Sequence, residues 1–305
     1  AEQDNLQEVV LENNNSPNKI AVIEIRGIIS SYSMDGSGKS MVDYVKSKLA
    51  RAAKDATVKA VLLKVDSPGG EVLASDDIYR LIKQFQEDHS KPVVAVMLGM
   101  AASGGYYVSA PCQWIVANEL TMTGSIGVIM HGYNFRGLMD KVGVEPLTFK
   151  SGKMKDMLSS TKRMQDVSKE EREIVQAFID ETFARFKQVV GEGRAFAAKL
   201  NGDDARPLDE SWEKYADGRL LSGMQARELG FVDELGNPDA AVKRALALAG
   251  VTDANLVGYR QLFKLGSIFR LLGESEQKSV KLDVGLDFPK LRAGQAYFLP
   301  SGLGF

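Results

Sequence analysis

Between Pro92 and Asn118 the chain carries no charged residue. A stretch of that length could cross a bilayer as a single helix. Gly99, Ser103, Gly104, Gly105, Pro111 and Gln113 interrupt it, and glycine and proline are poor helix formers. The residues read instead as a buried strand over 92–98, a short helix, and a second strand over 114–117.

The flanking sequence alternates in the same way. IAVIEIRGII (20–29) and VKAVLLKVD (58–66) are β-branched runs and predict buried strands. Val42, Val45, Leu49 and Ala53 share one helical face within 39–54, and Ile78, Leu81, Ile82 and Phe85 form the stripe of a helix over 71–88. TGSIGVIM (123–130) is apolar and punctuated by glycine. The longest helix should begin at Ser168, where Ser168 and Glu171 have the spacing of a capping box, with Ile174, Val175, Phe178, Ile179, Phe186 and Val190 along its stripe. Ser222 and Gln225 repeat that signal, with Gly230 as the stop. A last helix over 238–249 opens at Pro238 and ends at Gly250. Strands alternating with helices imply an α/β fold with mostly parallel strands. Residues 1–18 are polar and Asn-rich and read as a linker; residues 251–305 lose the rhythm, leaving a C-terminal extension without an assigned role.

Composition narrows the function. The chain has 305 residues and 38 − 40 = −2 formal charges, and it has no basic block. That argues against nucleic acid as the main partner. Cys112 is the single cysteine, so an intrachain disulfide and a cysteine-built zinc site are excluded. With His89 and His131 the only histidines, few His-based mechanisms remain.

Two Gly-rich junctions follow strands: Asp66-Ser67-Pro68-Gly69-Gly70 and Ala101-Ala102-Ser103-Gly104-Gly105-Tyr106-Tyr107. Parallel α/β sheets place ligands at the carboxyl ends of their strands. Ser103, flanked by small residues at a helix start, could present its Oγ to a substrate. Backbone N–H groups there and in Pro68-Gly69-Gly70 could hold an oxyanion. A nucleophilic serine needs a base. His131 follows an apolar run, His89 sits in a polar turn, and Lys150, Lys153 and Lys155 cluster in TFKSGKMKDMLSS. A lysine base must lose its proton near neutrality, which costs about 4 kcal/mol from an unperturbed pKa of ~10.4. Burial or neighbouring cations would have to lower that pKa.

With these motifs quoted, a resemblance is specific. Together with Thr123-Gly124-Ser125-Ile126-Gly127-Val128, Lys150-Ser151-Gly152-Lys153-Met154-Lys155-Asp156, Asp217-Gly218-Arg219 and Val232-Asp233-Glu234-Leu235-Gly236, they occur in the order found in the signal peptide peptidase A (protease IV) family of serine peptidases. The resemblance covers roughly residues 19–250. It implies a superhelix of β-β-α units, similar to the Clp protease catalytic subunit and the crotonases. It implies a Ser/Lys dyad, with Ser103 as nucleophile and Lys155 as base, and an oxyanion hole from the amides of Gly70 and Gly104. Gly69 and Ser125 stand beside them as candidate substrate-binding positions. No metal or cofactor is implied.

Longer family members carry two tandem units and this chain has one. The resemblance therefore implies a closed homo-oligomer in which Lys155 completes the site of a neighbouring protomer. It further implies hydrophobic peptide substrates, such as released signal peptides, and an N-terminal membrane anchor joined through residues 1–18, with the catalytic portion extracytoplasmic. The apolar end AYFLPSGLGF is expected to complete the sheet, or else to pack on a neighbour or in a peptide groove. Two other functions compete: a crotonase-like acyl-CoA hydratase or hydrolase, and a non-catalytic scaffold for membrane-protein segments.

Overall fold

The structure, a computed structural model, describes residues 6–33, 38–261 and 297–298. In chain order the strands are β1 (Leu6–Glu12), β2 (Lys19–Arg26), β3 (Val58–Ser67), β4 (Gly70–Glu71), β5 (Val93–Ala102), β6 (Trp114–Ala117), β7 (Met122–Gly124), β8 (Leu220–Ser222), β9 (Glu234–Leu235), β10 (Asn255–Gln261) and β11 (Tyr297–Phe298). The helices are α1 (Met41–Lys54), α2 (Val72–His89), α3 (Gly104–Ser109), α4 (Arg136–Val142), α5 (Lys169–Asn201), α6 (Gly223–Glu228) and α7 (Pro238–Ala249).

The main sheet runs β1-β10-β2-β3-β5-β6-β9. From β10 to β9 all neighbours are parallel. Side chains alternate across a strand, and here both faces are apolar. On β3, Val61, Leu63 and Val65 face the layer of Val45, Ile78, Ile82, Tyr107 and Phe186, while Ala60 and Leu62 face Ala241 and Ala245 of α7. Burial on both faces explains the uninterrupted apolar runs in the central strands. The charge-free stretch becomes β5, α3 and β6, most of it within this core, with Gly99 and Asn118 exposed. This is the α/β architecture with a mainly parallel sheet that the sequence implied.

Two expected boundaries are revised. Residues 1–18 are not only a linker, because β1 pairs antiparallel with β10 from Leu6↔Gln261 to Glu12↔Leu256. Its polar look is that of an edge strand, which has solvent on one side. Nor does the sheet stop near 250: β10 lies between β1 and β2. The start of the extension, to which the sequence assigned no role, is thus a strand of the main sheet, whereas β11, the described part of the apolar end, does not join that sheet. Of the apolar end, β11 pairs antiparallel with β4, Tyr297 opposite Glu71 and Phe298 opposite Gly70; residues 262–296 and 299–305 lie outside the described residues.

Helix ends follow the sequence signals closely. Ser222 and Gln225 form the reciprocal capping box, and Gly250 ends α7 in the left-handed region. At Ser168 only half of the box forms. Its side chain accepts from the Glu171 amide, while the Glu171 carboxylate bonds Lys162 Nζ at 2.5 Å. Gly230 lies one residue beyond the cap Leu229, at φ 75°.

Candidate active site

β3 and β5 are neighbours, with Ser67 in register with Ala101. Their carboxyl ends therefore deliver both Gly-rich junctions to one place. β5 runs four residues beyond the expected end at 98 because Met100, Ala101 and Ala102 pair with Met122, Thr123 and Gly124 of β7. That extension carries the chain to Ser103. The Ser103 amide donates to the Gly124 carbonyl at 2.8 Å, and its backbone stands at φ 53°, ψ −117°. A non-glycine residue held there stores strain, a common feature of functional turns. Its side chain is wholly buried, and its Oγ has no hydrogen-bond partner among the described residues. Buried hydroxyls are nearly always bonded, so this one stands out among the buried polar groups.

The glycines around Ser103 are required by close approach. A Cβ on Gly104 would lie 2.7 Å from Ser75 Oγ and 3.1 Å from Gly70 N, and one on Gly105 would lie 2.6 Å from Ser67 O. Gly70 and Gly104 are thus brought together as expected. Gly69 differs. Its amide donates to Ser67 Oγ at 3.1 Å and its carbonyl accepts from the Ile29 amide at 2.9 Å. Both of its backbone groups are engaged, and its φ of 110° shapes the turn. Gly69 therefore enters the site by shaping the turn beside Gly70. Ser125 is buried at φ 50°, one residue after the carbonyl that holds Ser103, and its amide donates to Arg219 O at 2.7 Å. This contact joins the Thr123–Val128 motif to Asp217-Gly218-Arg219. The Arg219 side chain, hydrogen-bonded to Asp217, holds that carboxyl down to about 2.

Behind Ser103, α3 is pinned on two sides. Tyr106 Oη donates to Phe231 O at 3.0 Å, and Tyr107 Oη donates to Asp76 Oδ1 at 2.6 Å. Burial works to raise the Asp76 pKa, but Tyr107, Arg80 and Arg185 together hold it below the usual carboxylate range. Deeper, Arg194 of α5 pairs with Asp233, both side chains buried, and Asp233 also accepts from the Ile115 amide at 2.8 Å. Burial raises the Asp233 pKa against the pull of Arg194.

Lys155 lies elsewhere. It sits on an exposed turn within a segment, residues 127–170, in which no residue is buried. Lys150 pairs with Asp156 at 2.8 Å and Lys153 with Glu170 at 2.5 Å. Among the described residues Lys155 has no ion pair and no side-chain hydrogen bond. The protomer thus does not bring Lys155 to Ser103. His131 and His89 are exposed, His89 against the Phe85 ring. Among the described residues the buried lysine is Lys48, pushed down to about 8 by burial. It bonds Tyr44 Oη on α1 and has Glu24 and Arg260 as its charged neighbours, on β2 and β10. Nothing in its position connects it to β5 or α3.

Sequence reasoning missed Glu71, Ser75 and Asp76. Each reads as an ordinary residue in the first turns of a helix, and only the fold shows what they touch. No cluster of three or more His, Cys, Asp or Glu residues able to hold a metal ion occurs among the described residues.

Comparison with known proteins bears on this arrangement. The chain matches Peptidase family S49 over residues 85–252 and Clp protease over residues 26–113. It is 39% identical over 233 residues to a Synechocystis protein named as a protease, covering 76% of this chain and 75% of the relative. It is 35% identical over 259 residues to an Enterococcus faecium protein named as a signal peptide peptidase, covering 84% and 71%. Protease 4 of Haemophilus influenzae is 34% identical over 235 residues, which are 77% of this chain but 35% of that longer protein. A Clp-protease-like sheet, a serine on a strained turn at its carboxyl edge, and these matches agree: the chain belongs to Peptidase family S49, a family of serine peptidases.

Proposed function

We propose that the protein is an endopeptidase with a Ser103/Lys155 dyad, completed between protomers of a homo-oligomer, that cleaves hydrophobic peptides such as released signal peptides beside a membrane. The observation that carries this reading is the Ser103 hydroxyl, buried and without a partner. In the reaction, Lys155 of a neighbouring protomer takes the hydroxyl proton and Oγ attacks the scissile carbonyl. The amides of Gly70 and Gly104 receive the oxyanion. Collapse expels the amine, which takes the proton from Lys155, and leaves an acyl-Ser103. Water, deprotonated by the same lysine, then releases the acid.

The state of Lys155 supports completion between protomers. Lys155 is exposed and, among the described residues, has no ion pair and no side-chain hydrogen bond, so its side chain is available to a neighbouring protomer. The segment that carries it is dressed for docking: Tyr133, Phe135, Leu138, Val142, Val144, Leu147 and Phe149 are all exposed, the last two by 82% and 87%. Apolar exposure on this scale marks an interface. The β4 edge already takes an extended strand, β11, opposite Gly70. A substrate peptide laid there would gain main-chain hydrogen bonds and bring a carbonyl to the Gly70 amide. Ser125, next to the Gly124 carbonyl that accepts from the Ser103 amide, is the candidate for contact with the substrate.

Membrane proximity rests on the family resemblance. No helix among the described residues is long and apolar enough to cross a membrane, so an anchor would come from outside them, with the catalytic portion extracytoplasmic.

The test compares wild type with Ser103→Ala on fluorogenic hydrophobic peptides at pH 8. Turnover that disappears in the variant, with oligomer size unchanged, is expected. Equal turnover in both would sink the serine mechanism, and acyl-CoA hydrolysis would point to the crotonase-like alternative.

A further inference from the structure

The strand that carries Gly70 is two residues long, and its second residue is a buried acid. Glu71 is 4% exposed. It occupies the N-cap of α2, yet its side chain caps nothing there. The carboxylate reaches instead to the turn after β2. Ser30 Oγ donates to Oε1 at 3.2 Å, and the Ser31 amide and Ser31 Oγ donate to Oε2 at 2.9 and 2.5 Å. A buried carboxyl group needs hydrogen-bond partners, and among the described residues these three donors are the ones it receives.

The backbone repeats the connection. The Ile29 amide donates to Gly69 O at 2.9 Å, and the Glu71 amide donates to Ile29 O at 2.8 Å. Backbone groups alternate sides along an extended chain. Because residues 69 and 71 bond inward to Ile29, the Gly70 amide is turned to the opposite edge, toward Gly104 and β11. Gly70 also lies flat on this turn, since a Cβ there would come within 2.0 Å of Ile29 O. Whatever fixes residues 29–31 therefore fixes the direction of the Gly70 amide.

We infer that Glu71 is a positioning residue for catalysis: its buried carboxylate, held by Ser30 and Ser31, sets the Gly70 amide where the oxyanion forms. This rests on the oxyanion role proposed above for Gly70. Glu71 touches neither substrate nor reacting atoms. It acts by tying both flanks of Gly70 to one turn. A glutamine could keep the arrangement, accepting from Ser31 through Oε1 and donating to Ser30 through Nε2. An alanine removes it.

The experiment measures three quantities in the full chain for wild type, Glu71→Ala and Glu71→Gln. They are kcat/KM on a fluorogenic hydrophobic peptide, inhibition by the matching peptide aldehyde, and affinity for the uncleaved peptide on a Ser103→Ala background. An aldehyde adduct on Ser103 carries the oxyanion and the bound peptide does not. In Glu71→Ala, kcat/KM and aldehyde affinity should fall together by about tenfold to a hundredfold, as for a displaced oxyanion donor. Peptide affinity should change by less than about threefold, and Glu71→Gln should restore most of the loss. Unchanged kcat/KM in Glu71→Ala, or equal weakening of aldehyde and peptide, overturns the inference. If Glu71→Ala does not fold, the Ser30→Ala/Ser31→Ala double variant, which keeps the acid, takes its place with the same expectations. Turnover that survives Ser103→Ala would instead overturn the peptidase site itself, which separates the two failures.

Discussion

Ser103 and Lys155, the two groups of the proposed dyad, belong to two regions built on opposite plans. Around Ser103, residues 101–110 are all buried, and α3 is fixed by Tyr106 to Phe231 and by Tyr107 to Asp76. Around Lys155, residues 127–170 include no buried residue, and apolar side chains face solvent along with the charges. The first region is a finished interior that holds one hydroxyl unsatisfied. The second is an arm of exchangeable surface ion pairs in which Lys155 has no ion pair among the described residues. In a two-group mechanism, the rigid region can supply geometry and the arm can supply reach. Neither is a complete site by itself.

The sharpest way to break this comparison is to disable each region in a different chain. Ser103→Ala and Lys155→Ala should each lower turnover by about a thousandfold or more. Mixed before assembly, the two inactive variants should regain about one quarter of wild-type turnover, because half of the serines would meet half of the lysines across a closed ring. A mixture that stays inactive would place both groups of one site in one chain. The next largest effect is on stability. Asp233→Ala leaves Arg194 buried without its partner, and breaking such a pair costs about 3–5 kcal/mol. Urea unfolding should show this loss in full, and a change below about 1 kcal/mol would mean that the pair does not anchor α5. The smallest effect sharpens the contrast. Leu147→Ser with Phe149→Ser should leave protomer unfolding within about 0.5 kcal/mol, as for surface changes. The same double variant should shift the oligomer to protomers by sedimentation and abolish turnover. A folded, assembled and active variant would remove the arm from the interface.

The two regions also differed in how far the sequence revealed them. The junctions that carry Ser103, Gly70 and Gly104 were legible because small residues act locally, while the roles proposed for these residues came from the family resemblance. Small residues at strand ends allow close backbone approach wherever they occur, and the buried strands beside them declare themselves by composition. Lys155 was legible only through family resemblance, since Lys150 and Lys153 share its neighbourhood and its residue type. The structure adds a difference that the sequence does not show, pairing Lys150 with Asp156 and Lys153 with Glu170. Glu71 was illegible. An acid at the start of a helix reads as a favourable end charge, and its partners Ser30 and Ser31 lie 41 and 40 residues away. β1 was read as a linker for a similar reason, because its partner β10 lies near the other end of the described chain.

By itself the sequence determined the elements, the α/β class and the small-residue junctions, because periodicity, caps and glycine act over a few neighbouring residues. Only the tertiary structure decided that β1 and β10 extend the sheet, that Gly69 is engaged within its own turn, that Glu71 is buried against Ser30 and Ser31, and that Lys155 stands apart from Ser103. Each of these depends on which distant segments exclude water from one another. That is a property of the packed sheet and its helices, and no local pattern encodes it.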